Sequence, residues 1–157
     1  CILKERNFEK SITKFQEALE DLIDGKVDLK DLTITKTLRG YYKNPQMIAH
    51  KVLADRIGER EPGNKPQSND RIPYAYVTVQ EKKGKKILQG ERIEHPDFIK
   101  KNNLKLDYKF YITNQIMKPI LQIFGLNMTN PEKIVEKPLR RATNLSKNQK
   151  EITSFFC

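Results

Sequence analysis

The chain has 157 residues, 32% of them charged, with a formal net charge of +10 at pH 7 and an isoelectric point near 9.6. This length is enough for one domain with a buried core, and the basic charge favours a polyanionic partner, although solubility alone also explains it. No apolar run reaches the ~20 residues of a membrane span, no secretory signal opens the chain, and its cysteines form no metal-ligand pattern.

The ends of the chain bear on its origin and its redox state. It begins at Cys1 rather than at a methionine, which favours a piece of a longer polypeptide. The sequence does not decide whether Cys1 and Cys157 form a disulfide, but such bonds are rare in the reducing interior of a cell.

The first predicted element is a helix over residues 7–24, which ends at Gly25. Its apolar residues recur at steps of three and four, which is typical of a helix that packs one face on a core. The residues of this face are Phe8, Ile12, Phe15, Leu19 and Leu22.

Residues 32–38 alternate as a strand does, and Lys36 stands in the apolar row. Burying an unpaired ammonium group is costly, so two interpretations stay open. Either the long aliphatic stem carries the charge past Leu38 to water, or Lys36 emerges toward a phosphate.

A basic, aromatic turn follows, made of Arg39, Gly40, Tyr41, Tyr42 and Lys43. Its hydroxyl and cationic groups suit a sugar-phosphate surface, because all of them can donate to phosphate oxygens. The alternative is structural, with one tyrosine ring in the core and the other half exposed.

The central predicted helix is capped by Asn44, has Pro45 at its first position and ends before Pro62. Packing does not require the cations on this helix and on its flanking turn and loop. They therefore form either a solvated face or a phosphate-binding face. These residues are Lys43, His50, Lys51, Arg56, Arg60, Lys65 and Arg71. His50 lies outside the apolar stripe of the helix.

The second half predicts a strand at 73–79, a hairpin turn at EKKGKK, a strand at 85–93 and a short helix after His95. We interpret the lysine-rich turn as a solvated loop tip and His95 as an ordinary surface histidine. A last long helix starts at Asp107 and should kink at Pro119. The pattern predicts an α+β fold with three main helices around a small, mostly antiparallel sheet from residues 32–38, 73–79 and 85–93.

Four segments occur in the order DLTITKTL, YKNPQMIAHKVLADRIGERE-PG, NDRIPYAYV and ITNQIMKPILQIF. Together they resemble the thumb of a B-family DNA polymerase of the delta-like type found in eukaryotes and large DNA viruses, over about residues 7–124. The resemblance implies a chain that follows a palm, lies beside the palm and fingers of a parent polymerase, and grips double-stranded DNA by its phosphates.

For individual residues, the resemblance favours the phosphate interpretation of Lys36. The implied DNA contacts are Lys36, Arg39, Tyr41, Tyr42, Lys43, His50, Lys65, Arg71, Tyr74 and Lys118. We expect Arg71 with Tyr74 to contribute more than the lysines at 82–86, because Pro66 and Pro73 restrict the loop before that strand and less freedom is lost on contact.

Catalytic and metal-binding residues are not expected in this chain. The family's paired-aspartate palm signature is absent, as are a glycine-rich phosphate loop and an HExxH motif. The two magnesium ions that the resemblance implies belong to the palm of the parent polymerase, so this segment should have no cofactor and no activity alone.

The C-terminal part changes character after the thumb-like region at 1–126. Residues 127–148 are predicted to be a basic flexible linker, and residues 149–157 match a sliding-clamp interaction motif. In QKEITSFF, one helical turn would place Ile152, Phe155 and Phe156 on one side as an apolar plug, with Gln149 as a polar anchor. The alternative is that both phenylalanine rings fold back onto the domain.

The sequence thus predicts the thumb of a replicative DNA-directed DNA polymerase, tethered to a PCNA-like sliding clamp. It would act inside the cell, in the nucleus or at a viral replication site, without contact to a membrane. Two alternatives stay open: a free-standing DNA-binding adaptor that recruits a clamp, and an interaction module whose charge serves solubility alone.

Overall fold

The computed structural model describes residues 7–79, 87–126 and 128–154, and for residues 146–154 it describes the backbone only. The chain divides into two compact units, one made of Cys1–Val27 with Tyr108–Cys157 and the other of Asp28–Asp107. The predicted α+β class is confirmed, because helices dominate and the strands form one small antiparallel sheet.

The sheet of the Asp28–Asp107 unit has three strands: β1 (Ile34–Thr37), β2 (Arg71–Tyr76) and β3 (Ile93–Glu94). Their order is β1-β2-β3, with both pairs antiparallel. The first two predicted strands are present with different ends, and β2 begins two residues earlier than predicted. The third predicted strand, 85–93, shares only Ile93 with β3. The third is reduced because Gln89–Arg92 form a 3-10 turn, which the Glu91 carboxylate closes by accepting from the Leu88 amide at 3.0 Å.

The central helix of this unit, α2, is Ala49–Arg60, and it buries Leu53 and Ala54. Its predicted start is corrected: Pro45–Met47 form a separate 3-10 turn, and the Asn44 side chain makes no capping bond. The extended backbone of Ile48, with φ −98° and ψ 105°, separates the turn from α2.

Among its described residues, this unit also contains the short helices Leu29–Leu32 before the sheet and α3, Pro96–Lys101, after it, and a 3-10 turn at Pro62–Asn64. A core cluster of Ala75, Val77 and Ile99 is covered by half-buried leucine and valine side chains. The predicted turn EKKGKK lies outside the described residues.

The other unit begins with α1, Phe8–Ile23, which Asn7 caps by accepting from the Lys10 amide at 3.2 Å. Gly25 has a φ of 73°, so the predicted end of this helix is confirmed. Phe8 and Phe15 contact the buried Phe124, with ring centroids 5.4 and 6.1 Å from it.

The predicted last helix consists of a turn at Tyr108–Phe110, a π-helical stretch at Tyr111–Ile116 and α4, Met117–Phe124. Pro119 has no amide proton for the Gln115 carbonyl, and the wider turn lies in the residues before it. The predicted helix is thus interrupted before Pro119 by this π-helical stretch.

Helix α5, Lys133–Ser154, overlaps the segment predicted as a flexible linker over 127–148. It packs against α1, and its buried residues are Ile134, Val135, Pro138 and Ala142. Arg141 donates to the carboxylates of Glu20 and Asp24 on α1. The basic composition of this segment contains an apolar face that contact with α1 buries.

Candidate nucleic-acid interface

The turn between β1 and α2 presents the predicted cations to solvent. Lys36, Arg39 and Lys43 are exposed, and the Tyr41 side chain is 82% exposed. Tyr42 is half-buried, so one tyrosine of the pair faces water and the other faces the unit. Lys36 reaches solvent although it shares a sheet face with Ile34, as a long aliphatic stem allows.

The half-buried Tyr42 is hydrogen-bonded on both sides. Its hydroxyl oxygen accepts from the Arg39 backbone amide at 2.7 Å and lies 3.0 Å from Nε2 of His50. The two rings meet edge to face, with centroids 5.8 Å apart and an interplanar angle of 76°. His50 is therefore engaged within the unit, next to the basic turn.

Several charged neighbours act on the His50 ring. Partial burial lowers the pKa of His50 below its ordinary 6.5, the charges of Lys36 and Arg39 lower it further, and a hydrogen bond with the Thr37 backbone opposes them. The net pKa is lowered. His50 is consequently neutral at pH 7, and its imidazole can accept the Tyr42 hydroxyl proton.

Arg71 and Lys65 belong to a different surface of the same unit. They line an open cleft of about 860 Å³ between the end of α2, the loop that follows it, and α3. Phe98, Ile57 and Pro73 contribute apolar walls, and the rim also carries carboxylates such as Asp70. Asp70 has a turn role, since its carboxylate accepts from the Gln67 amide at 2.7 Å.

The register of the sheet separates the two groups of cations. Lys36 pairs with Ile72, and Thr37 pairs with Arg71. Directly opposed residues project to the same face and successive residues alternate, so Lys36 and Arg71 project from opposite faces. The sequence placed them in one cation set, and the structure divides that set.

Tyr74 is removed from the predicted contacts. Its side chain is only 6% exposed and packs edge-on against Tyr76, with ring centroids 6.0 Å apart. Tyr74 is directly opposite Ile34 in the sheet, so both side chains project from the same face, and the Tyr74 ring packs there. An alternating strand pattern could have indicated this, because Ile72, Tyr74 and Tyr76 share one face.

Arg56 and Arg60 of α2, for which the sequence left a phosphate-binding role open, are instead paired with Glu94. Arg56 donates to the Glu94 carboxylate at 2.6 Å, and Arg60 donates at 2.9 and 3.1 Å. Arg60 also lies 3.8 Å from the centre of the Phe98 ring. Packing does require these cations, and Lys51 is likewise paired with Asp55 on its own helix.

His95 has a structural role that the sequence analysis missed. It caps α3, with its Nδ1 accepting from the Asp97 amide at 3.2 Å. The histidine-proline pair at a helix start was the available signal, since Pro96 occupies the first helical position.

The remaining residues that the sequence predicted to contact DNA or a clamp lie outside the Asp28–Asp107 unit. Lys118 is exposed in the unit that contains α1. Gln149 and Ile152 lie within the helical backbone of α5, where side chains are not described, and Phe155 and Phe156 lie outside the described residues.

Among the residues that the structure describes, no group of three or more His, Cys, Asp or Glu side chains could hold a metal ion. None of the helices described is long and apolar enough to cross a membrane.

The family model for "DNA polymerase family B" matches residues 2–126. The chain is 49% identical over 148 residues to a DNA polymerase of Pyramimonas orientalis virus, a match that covers 90% of this chain and 12% of that protein. It is 43% identical to a DNA polymerase of Acanthamoeba polyphaga mimivirus, over 99% of this chain and 9% of the relative.

A cellular relative and a solved structure agree with these matches. The DNA polymerase delta catalytic subunit of Caenorhabditis elegans is 36% identical, over 78% of this chain and 11% of that protein. The family B DNA polymerase from the archaeon Pyrobaculum calidifontis superposes with a TM-score of 0.55 at 26% identity, over 78% of this chain and 16% of that one. The chain thus spans between 9% and 12% of these three curated relatives.

Proposed function

We propose that this chain, which belongs to DNA polymerase family B, is the thumb of a replicative DNA-directed DNA polymerase and grips duplex DNA. In this role it supplies phosphate contacts and no catalytic carboxylates. It works beside the palm and fingers of the parent enzyme, where two magnesium ions would act, in the nucleus or at a viral replication site.

One observation carries the proposal: in the described part of the chain, the cations of the basic turn and the neighbouring Lys36 of β1 are exposed and have no ion-pair partner. Among the described residues, Lys36, Arg39 and Lys43 have no carboxylate within ion-pair distance, whereas Lys51, Arg56, Arg60 and Arg141 are all paired. Unpaired cations beside an exposed tyrosine can donate to phosphates without first breaking internal bonds. Base edges play no part in such contacts, so binding should not depend on sequence.

Salt titration of duplex binding tests this function. Fluorescence anisotropy would follow a labelled 20-base-pair duplex and the chain at several salt concentrations. Each phosphate contact adds about 0.9 to the slope of log affinity against log salt. Replacing Lys36 and Lys43 by alanine should therefore lower the slope by about 1.8.

A charge-matched variant serves as the control. Lys30 and Lys105 are exposed in the same unit, and replacing both by alanine removes the same net charge. This variant should keep the wild-type slope. Equal losses in the two variants would mean that net charge alone drives binding, and a salt-independent affinity would contradict the phosphate grip.

We propose in addition that the C-terminal segment binds a PCNA-like sliding clamp. The support is the spacing of Gln149, Ile152, Phe155 and Phe156, together with the helical backbone that α5 gives to the first two. Burying each apolar side chain contributes roughly 1.5–3 kcal/mol. Ordering the segment costs about 2–5 kcal/mol, so the three apolar side chains supply at most about 7 kcal/mol. The expected Kd of about 1 μM requires about 8 kcal/mol, and the polar contact of Gln149 has to contribute the remainder.

Calorimetry of a peptide covering residues 145–157 against the clamp of the same source tests this second proposal. A matched peptide with Phe155→Ala and Phe156→Ala should give no heat of binding. If the wild-type peptide also gave none at hundreds of micromolar, clamp binding would be rejected while the duplex grip would stand.

A further inference from the structure

The basic turn has a side-chain support that reaches it from α2. Arg39 and Tyr42 are three positions apart, and the Tyr42 hydroxyl oxygen accepts from the Arg39 amide at 2.7 Å, which closes the turn between them. His50 touches that hydroxyl from the first turn of α2 at 3.0 Å. The contact therefore joins a rigid helix to the segment that carries the exposed cations.

The Tyr42 hydroxyl oxygen accepts from the Arg39 amide and keeps its own proton for a second bond with Nε2 of His50. In the tautomer with an unprotonated Nε2, the Tyr42 hydroxyl donates to the ring. The hydrogen bond with the Thr37 backbone raises the pKa of His50, as a bond donated by the ring does, so the proton of the neutral ring belongs on Nδ1.

The turn is also restricted on its other side. A Cβ atom at Gly40 would lie 3.3 Å from the Ser68 hydroxyl oxygen, so the backbone there sits close to the loop before β2. Leu38 exchanges backbone bonds with the same loop, accepting from Asn69 at 2.7 Å and donating to Asp70 at 2.8 Å. The start of the turn is thus held by the backbone, and its end is held through Tyr42.

We infer that His50 is a positioning residue of the basic turn: it holds the Tyr42 hydroxyl, and Tyr42 holds the Arg39 amide, so that Arg39, Tyr41 and Lys43 keep one shape toward a phosphate backbone. His50 acts through Tyr42 and is not itself a phosphate ligand. The importance for DNA rests on the proposed function, whereas the coupling of His50 to the Arg39 amide does not.

Hydrogen exchange of the Arg39 amide tests the coupling without DNA. His50→Ala and Tyr42→Phe should each speed this exchange by about two- to tenfold, the value of one net hydrogen bond. His50→Gln places an acceptor near the position of Nε2 and should stay close to wild type. His95→Gln is the matched control, because His95 caps another helix and should leave the Arg39 amide unchanged.

Duplex affinity of the full chain tests the consequence for binding. His50→Ala and Tyr42→Phe should each weaken binding by about two- to tenfold, and the double variant should be no weaker than the worse single variant. His50→Gln should bind as wild type does. Circular dichroism and Tm of every variant would show that the unit remains folded.

The outcomes distinguish the positioning role of His50 from the proposed duplex grip. Multiplying losses in the double variant, or an unchanged Arg39 amide in His50→Ala, would overturn the positioning role. Failure of the wild-type chain to bind any duplex would overturn the proposed function, and the exchange rates would then still decide for or against the positioning role.

Discussion

Glu94 holds a buried negative charge between two arginines of α2, with only 6% of the residue exposed. Burial alone raises the pKa of the Glu94 carboxyl, but hydrogen bonds from Arg60 and Arg56 outweigh it, and the net pKa is lowered. Both arginines reach partly to water, so their own desolvation is incomplete. The carboxylate thereby ties α2 to β3 and stops two cations from facing a ligand.

Removing this carboxylate should destabilise the protein. Glu94→Ala leaves two arginines without their partner, a change that costs about 3–5 kcal/mol for fully buried pairs and less here, because both arginines reach water. Glu59→Ala on the exposed side of α2 is the control and should change the free energy of unfolding by less than about 0.5 kcal/mol. Urea denaturation measures both, and equal effects would mean that the Glu94 network does not hold α2.

His50 should make stability depend on pH below neutrality. Because burial, Lys36 and Arg39 lower the folded-state pKa of His50 below 6.5, the unfolded state binds more protons between that pKa and 6.5. Stability therefore rises with pH in this window, is fully present above about pH 6.5 and is lost as the pH falls.

The comparison with His50→Gln isolates this contribution. The glutamine variant cannot titrate, so its free energy of unfolding should fall less steeply between pH 7 and pH 5 than that of wild type. Identical slopes in urea melts across this range would show that the His50 pKa is the same in the folded and unfolded states.

At the scale of elements, Pro138 explains how a proline is accommodated inside α5. It has no amide proton for the Ile134 carbonyl four residues earlier. The side-chain amide of Gln16 on α1 lies 3.4 Å from that carbonyl oxygen and donates to it. A residue on one helix thus satisfies the backbone group that the proline of another helix leaves open.

This compensation predicts coupled mutations. Gln16→Ala should lower the free energy of unfolding by about 1 kcal/mol, because a part-buried carbonyl loses its donor. In a Pro138→Ala background the restored backbone amide takes over, so the same change should cost less. Glu17→Ala, an exposed neighbour on α1, is the control. Equal costs of Gln16→Ala in both backgrounds would contradict the compensation.

The elements that were predicted well are those fixed by local pattern. Helix α1 has its cap, its apolar period and its glycine end within 19 residues of sequence, from Asn7 to Gly25. Helix α5 could not be predicted in the same way, because Pro138 argues against a helix and its support comes from Gln16, far away in sequence. Likewise, Arg56 and Arg60 are paired with Glu94, which lies more than 30 residues later in the chain, so no short window of sequence could predict these ion pairs.

For the molecule as a whole, tertiary pairing decides which positive charges remain available. The sequence shows a net charge of +10 without indicating which cations are used internally. Arg141 is used to dock α5 on α1, and Arg56 and Arg60 are used on Glu94, whereas the turn after β1 keeps its charges exposed. The family could be read from ordered motifs, but the division of Lys36 and Arg71 between two sheet faces required the register.

The extent of α5 leads to a last prediction about clamp binding by the whole chain. Its helical backbone runs through Gln149 and Ile152, and its earlier turns are anchored on α1. In the whole chain, part of the ordering cost of about 2–5 kcal/mol is therefore already met before the clamp is bound.

The chain should bind a PCNA-like clamp about tenfold more tightly than the peptide of residues 145–157, a difference of about 1.4 kcal/mol. Asn148→Pro, which weakens a helix interior by about 2–3 kcal/mol, should remove this advantage in the chain. Calorimetry of chain, peptide and variant would decide, and a peptide that binds as tightly as the chain would show that α5 contributes no preorganisation.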